Sequence, residues 1–467
     1  MREKYFYDAF LRLFPYDPTP CQDRLLQTLA AFLTSDDGDI LVVNGYAGTG
    51  KTTAVASVVA ALRELSLNSI LLAPTGRSAK VLSLYAGHAA STIHKHIYRQ
   101  KSFDGGFGQF SLSPNKARNT LFVVDEVSLI GIAASEGSAF GSGDLLADLV
   151  TFVRSGVDCR LVLLGDAAQL PPVGLDASPA LSPDYMRVFG GVQFVELTTV
   201  VRQAADSGIL QNATHLREML FSGFGGGSLG LRRFPDVVRI GGGELLETLS
   251  DAYGKYGEDE VMVLCRSNKR AGRYNLGICS QVLYREEQLT RGDKLMVVRN
   301  HYLEGLEGTD YIANGDIGTL VWIRHFEERY GLHFADACIA FPDYGNQEVE
   351  MKVLLDTLLS DAPSLSPAQS QALYEGVSAD YADIRGKRKR YEAVRSDPFY
   401  SALQIKYAHA ITAHKAQGGQ WQCIFIDNPF WMDERTDDDV KWLYTALTRA
   451  VDRVYLVNFK DEMFSGQ

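Results

Sequence analysis

Residues 39–65 read DILVVNGYAGTGKTTAVASVVAALREL. A short apolar run is followed by a glycine-rich turn and then by a longer segment in which apolar residues recur with helical spacing. This order predicts a strand, a loop and a helix. Residues 45–52 match the GxxxxGK[ST] pattern, and the flanking strand and helix are the context that makes the pattern specific. We therefore predict a phosphate-binding loop that leads into a helix.

The predicted loop has the residue types that a bound triphosphate needs. Its glycines let backbone N–H groups curl round the phosphates, and the start of the following helix presents the positive end of its dipole. Lys51 is expected to reach the β- and γ-phosphates, and the Thr52 hydroxyl is expected to bind Mg²⁺. The residues that we expect to contact the nucleotide here are Gly45, Ala47, Gly48, Thr49, Gly50, Lys51, Thr52 and Thr53.

A second apolar run, residues 121–124, ends in Asp125 and Glu126. Asp125 would hold Mg²⁺ through water, and Glu126 would orient or deprotonate the attacking water. An acidic pair after a strand can also be a solvated turn, but its combination with a phosphate loop favours catalysis. Together the two segments predict a nucleoside triphosphatase.

Apolar strands alternate with helical segments along most of the chain, which predicts an α/β fold with parallel sheets covered by helices. We predict a first series of strands at residues 39–44, 69–73, 121–124, 159–164 and 192–197, and a second series at residues 261–265, 421–427 and 454–458. Between them, short strands with Gly, Asn and Asp turns predict a small inserted β-barrel. The expected division is a first lobe at residues 1–200, a second lobe at residues 201–290 and 401–467, and the insert with its linking helices at residues 291–400.

Composition favours a folded protein of two to four domains, since the chain has 467 residues and 46% of them are hydrophobic. The net charge of −11 does not exclude a nucleic-acid partner, because binding depends on the local field of a groove. The six cysteines are scattered without a CxxC pair, which argues against a zinc site or a disulfide framework and fits a reducing cytoplasm. We expect neither a signal peptide nor a membrane span, because no apolar run is long enough.

Two further segments suggest how hydrolysis would be coupled to motion. Residues 163–173, LLGDAAQLPPV, follow another predicted strand, and Gln169 is placed to contact the γ-phosphate. Residues 444–450, YTALTRA, put Arg449 on a predicted helix of the second lobe, from which it can neutralise charge on the transferring phosphate. Taken alone, either side chain would more often be a surface residue.

The order of these segments resembles that of the superfamily 1 helicases. The further matching segments are APTGRSA (residues 73–79), STIHK (91–95), LTTVVRQ (197–203) and TAHKAQGGQ (412–420). APTGRSA and QLPPV favour the branch that includes Dda and RecD over the branch typified by UvrD. This resemblance covers nearly the whole chain. It implies two RecA-like lobes, an SH3-like inserted barrel, ATP as the nucleotide and 5′→3′ movement on single-stranded DNA.

The resemblance also implies roles for single residues. Gln22 would read the adenine edge, although a plain helix-surface glutamine stays an alternative. Arg202 would join Arg449 at the γ-phosphate, and Gly418 would belong to the nucleotide site. A nucleic-acid track would grip phosphates without reading bases, through Pro74, Thr75, Ser78, Lys80, Thr92, His94, Thr412, His414 and Lys415. Any one of the hydroxyls could instead cap a helix.

Residues 99–118 interrupt the first lobe and carry Phe103, Phe107 and Phe110 among glycines. They could form a β-hairpin whose aromatic side chain separates the strands of a duplex, or they could be a flexible surface loop. We thus expect a cytoplasmic, Mg²⁺-dependent DNA helicase that acts on single-stranded DNA and its junctions with duplex. It would work as a monomer or within a repair or replication assembly.

The sequence leaves two alternatives to a DNA helicase open and disfavours a third. An RNA-directed helicase of the same superfamily would use the same phosphate contacts, so the motifs do not distinguish it. A translocase that strips proteins without unwinding differs only in lacking a strand separator. A P-loop switch protein is disfavoured, because residues 268–271, NKRA, do not complete the NKxD pattern of GTPases and Arg449 would have no purpose.

Overall fold

The computed structural model describes residues 2–100, 110–131, 141–201, 207–223, 228–299, 301–302, 311–430 and 435–464. These residues form two open sheets, one closed five-stranded barrel and two short antiparallel strand pairs. Within the described residues, no helix combines the length and the apolar character that crossing a bilayer requires.

The first lobe contains the first of the two open sheets and the helices that cover it. Its helices are α1 (Arg2–Leu13), α2 (Pro20–Thr34), α3 (Lys51–Glu64), α4 (Gly76–Ala86), α5 (Ile93–Ile97), α6 (Leu145–Arg154) and α7 (Pro183–Met186). Its strands are β1 (Ile40–Gly45), β2 (Asn68–Ala73), β3 (Ala90–Thr92), β4 (Tyr98–Gln100), β5 (Phe110–Leu112), β6 (Thr120–Val124), β7 (Arg160–Gly165) and β8 (Val192–Leu197). The strands predicted from apolar runs in this lobe are all present.

The first sheet has the order β3-β2-β6-β7-β1-β8, and its strands are parallel. Both faces of β1 are buried: Leu41 and Val43 enter the core beneath α2 and α3, and Ile40 and Val42 enter the core beneath α6. This double burial explains why the strand is a continuous apolar run. Because the strands are parallel, the segments that follow β1, β6 and β7 meet at one edge of the sheet.

The rest of the chain forms the second sheet, the barrel and their helices. The helices are α8 (Gly208–Ser222), α9 (Leu245–Tyr256), α10 (Asn268–Gly277), α11 (Pro367–Asp380), α12 (Lys387–Ser396), α13 (Ala413–Ala416) and α14 (Asp437–Leu447). The strands are β9 (Val237–Ile240), β10 (Val261–Cys265), β11 (Lys294–Val297), β12 (His301–Tyr302), β13 (Tyr311–Ile312), β14 (Ile317–Arg329), β15 (Leu332–Phe341), β16 (Gln347–Leu354), β17 (Leu403–Tyr407), β18 (Ala410–Thr412), β19 (Trp421–Asp427) and β20 (Ala450–Val457).

The second sheet is also parallel and has the order β18-β10-β19-β20-β9. Strands β10 and β19 match the predicted runs. Strand β20 begins four residues earlier than predicted, because Ala450 pairs with Trp421 before a register irregularity in β19. Strands β9 and β18 have four and three residues and are not predicted by the sequence, since so few residues give no readable apolar pattern.

The barrel closes through the strands β11, β14, β15, β16 and β17. The predicted fold, two RecA-like parallel-sheet lobes with a small inserted barrel, is confirmed. The division of the chain at residues 200, 290 and 400 stays a proposal, in which β17 belongs to the barrel although it follows residue 400.

The segment predicted as a possible pin includes most of an antiparallel strand pair. Strand β4 pairs antiparallel with β5, so that Tyr98 lies opposite Leu112. The part between these strands, which includes Phe103 and Phe107, lies outside the described residues, whereas Phe110 begins β5. A role for this segment in strand separation stays a prediction.

Candidate nucleotide cleft and nucleic-acid track

The phosphate loop turns from β1 into α3 through two glycines with left-handed backbone. Gly48 has a φ of 73°, and Gly50, which precedes the first residue of α3, has a φ of 77°. Glycine adopts such values readily, whereas residues with a Cβ rarely do. A side chain at Gly50 would also collide with the Gln22 amide. The two glycines therefore set a curvature that leaves the N–H groups at the start of α3 available to an anion.

Gln22 lies behind this loop, and its side chain is buried, with 3% of the residue exposed. It accepts a hydrogen bond from the Thr19 N–H at 2.8 Å and donates one to the Thr49 carbonyl at 2.9 Å. The burial excludes a plain surface glutamine. Gln22 thus ties α2 to the phosphate loop, and its contact with adenine stays a prediction.

The Lys51 ammonium group folds back on the loop. It donates to the Gly45 carbonyl and, at 3.4 Å, to the Tyr46 carbonyl. The Thr49 hydroxyl donates to the same Tyr46 carbonyl at 2.7 Å. Phosphate oxygens bind an ammonium group more strongly than neutral carbonyls do, so a triphosphate would displace these Lys51 contacts.

Asp125 and Glu126 follow β6 at the same edge of the sheet. Burial and the neighbouring Glu126 carboxylate raise the pKa of Asp125 to about 6, against the opposing effect of Lys51 and Arg449. Glu126 has a φ of 54°, in the left-handed region that non-glycine residues seldom adopt. Its N–H donates to the Asp125 carboxylate at 2.8 Å, so a strained turn holds the two acids together.

Arg449 reaches this acidic pair from the second lobe. It follows α14, is 4% exposed, and its guanidinium lies 3.8 Å from the Glu126 carboxylate. It is held by hydrogen bonds to the Thr445 carbonyl at 3.2 Å and the Gly419 carbonyl at 3.4 Å. The charges of Lys51 from one lobe and Arg449 from the other both act on Asp125, and Arg449 also pairs with Glu126, which places the two cations in one cleft.

Tyr444 is not among the predicted site residues, yet it joins the second lobe to two loops of the first. Its hydroxyl donates to Asp166 at 2.6 Å and accepts from the Ala47 N–H at 2.9 Å. Tyr444 and Asp166 are each 1% exposed, and burial raises the pKa of both groups. Tyr444 stands within YTALTRA, but nothing in that segment indicates the bridge, because a tyrosine in a helix is most often a core residue.

The segment after β7 is attached to the second lobe by two more hydrogen bonds. The Leu170 N–H donates to the Thr445 hydroxyl at 2.8 Å, and the Gln417 amide donates to the Leu170 carbonyl at 2.7 Å. Gln169 is buried beside them, and its side-chain oxygen has no partner among the described residues. A buried acceptor without a partner suits a bound water, and the predicted contact of Gln169 with the γ-phosphate stays a prediction.

The predicted Mg²⁺ ligands lie on adjacent parts of the cleft. Thr52 stands with Thr53 in the first turn of α3, and Asp125 follows β6. Hydroxyl and carboxylate oxygens are the donors that Mg²⁺ prefers, and the raised pKa of Asp125 marks a carboxylate that the protein itself does not fully compensate. The residues present therefore fit the ion. Arg202, the other predicted catalytic arginine, lies outside the described residues.

The predicted track residues of the first lobe follow β2 and β3. Thr75 caps α4 by accepting from the Ser78 N–H at 3.2 Å, and Thr92 caps α5 by accepting from the Lys95 N–H at 3.3 Å. Both hydroxyls are thus helix caps, which does not exclude a phosphate contact, since a hydroxyl also donates. Burial lowers the pKa of His94 to about 4, so it would meet a phosphate as a neutral group. Pro74 directly follows β2.

The predicted track residues of the second lobe lie in α13 or directly before it. Thr412 precedes this helix, but its side chain makes no capping hydrogen bond. Burial lowers the pKa of His414, with a further contribution from Arg266, and burial also lowers the pKa of Lys415. The sequence predicts Gly418 at the nucleotide; however, a Cβ at this position would meet Ser78 and Thr75 first. The structure therefore brings Gly418 to the track residues of the first lobe.

The barrel contacts both lysines of the predicted track. Lys80 donates to the Pro342 carbonyl at 3.1 Å and lies 3.4 Å from the Asp343 carboxylate, and Lys415 donates to the Asn314 side-chain oxygen. A cavity of about 260 Å³ lies between α4 and the barrel and is lined by residues that include Lys80, Thr92, Lys95, Asp343 and Tyr344. This cavity is thus bounded by predicted track residues on one side and by the barrel on the other.

Two family models match the chain. One is described as an AAA domain and matches residues 22–220, and the other is described as a UvrD-like helicase C-terminal domain and matches residues 407–457. The chain is 30% identical over 291 residues to the ATP-dependent RecD2 DNA helicase of Deinococcus radiodurans, a match that covers 60% of this chain but only 36% of that protein. It is 24% identical over 457 residues to the ATP-dependent DNA helicase dda of Enterobacteria phage T4, covering 89% of this chain and 94% of that protein.

Among solved structures, the Pif1 helicase from Bacteroides in complex with ADP-AlF3 and ssDNA superposes with a TM-score of 0.50 at 15% identity, covering 97% of this chain and 95% of that chain. At this identity the likeness concerns the fold alone. The family models fall on the two lobes that form the cleft. The chain is thus similar to helicases that include RecD2 and Dda, which agrees with the resemblance of its motifs to the superfamily 1 helicases.

Proposed function

We propose that this protein is an ATP-dependent DNA helicase or translocase that moves 5′→3′ on single-stranded DNA and unwinds duplex as its lobes close and open. The observation that carries the proposal is that Lys51 and Arg449, from opposite lobes, both act on Asp125, while Arg449 lies 3.8 Å from the neighbouring Glu126 carboxylate. A triphosphate bound between them interacts with both walls, so it favours the closed arrangement, and its hydrolysis removes that preference.

In the proposed mechanism, Lys51 exchanges its loop carbonyls for β- and γ-phosphate oxygens. Glu126 positions the attacking water and accepts its proton, and Arg449 neutralises the charge that develops on the transferring phosphoryl group. Gln169 and Arg202 would complete the contacts to the γ-phosphate. Mg²⁺, held by Thr52 and through water by Asp125, would supply further neutralisation of phosphate charge.

The mechanical link would run through α14 and the segment that follows α13. Tyr444 bonds to the phosphate loop and to Asp166, and Thr445 bonds to the segment after β7. Gln417 of the second lobe bonds to that same segment and lies two residues beyond Lys415 of the track. A change at the γ-phosphate can therefore shift the track residues of one lobe relative to those of the other.

The proposed substrate is single-stranded DNA and its junctions with duplex. Hydroxyls, amides and two lysines suit a grip on phosphates that does not depend on base sequence. DNA is favoured over RNA because two relatives are named as DNA helicases. We further propose action as a monomer or within a repair or replication assembly, in a reducing cytoplasm where the six free cysteines stay reduced.

The test is unwinding of duplexes that carry a single-stranded tail at the 5′ or the 3′ end, with Lys51→Ala as the inactive variant and Lys4→Ala, at an exposed position, as its control. We expect unwinding of the 5′-tailed duplex, lost only in Lys51→Ala. Equal unwinding from 3′ tails would contradict the polarity. DNA-stimulated ATP hydrolysis without unwinding would leave a translocase that strips proteins, and stronger stimulation by poly-U than by poly-dT would indicate an RNA helicase.

The track is tested by Lys415→Glu, which places a negative charge where a phosphate is proposed to bind. We expect weaker binding of single-stranded DNA and a smaller dependence of binding on salt, because one fewer counterion is released. An unchanged salt slope would mean that Lys415 does not contact the backbone.

A further inference from the structure

Residues 385–390, RGKRKR, form a dense cluster of positive charge that the proposed mechanism does not use. Residues 383–395 contain six Lys and Arg side chains against two carboxylates, which leaves a local charge of +4 in a chain of net charge −11. We call Arg385 together with residues 387–390 the basic cluster. Such runs are often only solvated surface, so its contacts and its position decide what it can do.

The cluster is exposed, and much of it has no internal counter-charge. Arg385, Lys387, Arg388 and Lys389 are exposed, and Val394 is the residue by which α12 enters the core. Arg388 pairs with Glu392 at 3.0 Å, and Arg390 donates to the Ala382 carbonyl at 2.7 Å. Among the described residues, no carboxylate forms an ion pair with the other three cations of the cluster.

These charges also stand where they weaken their own helix. Residues 387–390 form the first turn of α12, and positive charge there opposes the helix dipole. Gly386, which precedes the helix, offers no side chain to cap the N–H groups of that turn. An anion placed at the cluster would satisfy both the cations and those N–H groups. A bound external anion would therefore account for this locally unfavourable arrangement. Such arrangements are typical of functional surfaces.

The cluster and the predicted track lie at opposite ends of the barrel. Helices α11 and α12 pack at the β14–β15 turn, where Tyr330 donates to Asp380 at 2.6 Å and its ring contacts Phe399 at 5.9 Å. Beyond the other end of β15, Pro342 and Asp343 contact Lys80 of the track. Strand β15 has ten residues, so the two ends are separated by about 30 Å. The helix that carries the cluster therefore packs against the end of the barrel opposite the end that contacts the track.

We propose that the basic cluster is a second nucleic-acid site, which binds phosphate groups of the DNA that flanks the track. This inference rests on the proposed function and adds a surface to it. Exposed lysines and arginines bind phosphates without reading bases, and each contact releases counterions. A separation of about 30 Å corresponds to roughly nine base pairs of duplex, so the flanking DNA can be a duplex arm or a continued single strand.

The experiment compares the triple variant Arg385→Gln/Lys387→Gln/Lys389→Gln with a control of equal charge change, Arg2→Gln/Lys4→Gln/Arg63→Gln. The control residues are exposed on α1 and at the end of α3 that is remote from the phosphate loop. Binding is measured as a function of salt for three DNA ligands. They are a single strand of about eight nucleotides that fills only a track, a single strand of about 40 nucleotides, and a fork with a tail of about eight nucleotides and a duplex of about 20 base pairs.

For the triple variant we expect unchanged binding of the short strand. On at least one of the two longer ligands, we expect the slope of the logarithm of the binding constant against the logarithm of salt concentration to be smaller in magnitude by about 2 to 3. Binding of that ligand at low salt should be roughly tenfold weaker. An effect on the fork alone assigns the site to duplex, and an effect on the long strand alone assigns it to single-stranded DNA. Equal slopes for variant and control on both long ligands overturn the second site and leave the proposed function intact. Loss on the short strand also overturns it, since the cluster would then belong to the track. If the parent protein bound none of the ligands, both the site and the proposed function would be wrong.

Discussion

The nucleotide cleft and the predicted nucleic-acid track are held together by different kinds of contact. At the cleft, the lobes are joined by hydrogen bonds between buried groups, of which the Tyr444–Asp166 bond and the Leu170–Thr445 bond are the central ones. At the track, Lys80 meets the barrel through a carbonyl and a carboxylate while 41% of its side chain stays exposed.

The difference indicates how the two interfaces can work. Breaking a buried hydrogen bond leaves a desolvated group without a partner, so such bonds persist unless the whole interface moves. An exposed ion pair contributes little and exchanges readily for another anion. The hydrogen bonds of the cleft are therefore expected to break and form together as the lobes open and close, whereas the contacts of Lys80 are of the kind that a phosphate backbone can replace and release in every cycle.

The largest effect is expected at the cleft, from Arg449→Ala. Removing the guanidinium leaves Glu126 without its partner from the second lobe and leaves the developing phosphate charge uncompensated, so ATP turnover should fall about 10³-fold. Turnover at saturating ATP and DNA is the measurement. Arg233→Ala is the matched control, because that arginine is exposed and pairs with Asp461 at the surface of the second lobe. Similar turnover in both variants would show that Arg449 does not reach the reacting phosphate.

The acidic pair should give the cleft a pH dependence. Burial raises the pKa of Asp125 from its ordinary value of 3.8 to about 6, so the charged form is lost as pH falls through that value. Activity should be present above about pH 6 and fall roughly tenfold for each further pH unit of acidification. The measurement is kcat/KM for ATP as a function of pH. Circular dichroism at each pH serves as the control that the protein stays folded. A flat profile down to pH 5 would mean that the Asp125 charge is not needed.

Tyr444→Phe tests whether the buried joint couples the lobes. The change keeps the ring but leaves the Ala47 N–H without its partner, while Asp166 keeps the Ala168 N–H. We expect DNA-stimulated ATP hydrolysis to fall about tenfold and the free energy of unfolding to fall by about 1–3 kcal/mol.

Tyr455→Phe is the matched control for that experiment. Its ring stacks on Phe425 with centroids 4.7 Å apart, and none of the described residues forms a hydrogen bond with its hydroxyl. If the two variants lost stimulation equally, the hydroxyl of Tyr444 would have no part in coupling.

The smallest effect is expected at the track, from Asp343→Asn. The change removes the carboxylate that competes with DNA for Lys80, so binding of single-stranded DNA should tighten by about two- to fivefold. Asp361→Asn is the control, because Asp361 also pairs with a lysine but lies away from the track residues in an exposed pair with Lys269. Weaker binding in Asp343→Asn would show that the Lys80–Asp343 contact supports the track instead of competing with DNA.

The sequence predicts some parts of this molecule closely, and these are the parts whose signals are local. Strands buried on both faces read as apolar runs, so the predicted bounds of β10 and β19 agree with the structure to the residue. The strands of three or four residues at the edges of the second sheet are missed, because pairing with a neighbour makes them strands, not their composition.

The candidate site also has parts that local sequence signals predict and parts that they do not. The phosphate loop and the acidic pair each lie within a few consecutive residues, so their chemistry is legible from the sequence. Gly418 and Tyr444 are different, because their contacts come from distant parts of the chain: Gly418 packs against Thr75 and Ser78, and Tyr444 bonds to Asp166. The residues next to Gly418 and Tyr444 in the sequence do not indicate these contacts. The contact of Gly418 with the nucleotide stays a prediction.

What the sequence by itself determined is the chemistry of a few short segments: a glycine loop with Lys51, a pair of carboxylates after a strand, and an arginine near a helix of the second lobe. The tertiary structure alone decided which ends face each other, that Arg449 meets Glu126, that Tyr444 closes on Ala47, and that Asp343 of the barrel covers Lys80. The reason is physical. Local backbone preferences depend on adjacent residues, whereas contacts between residues hundreds of positions apart depend on strand order and on the packing of whole lobes.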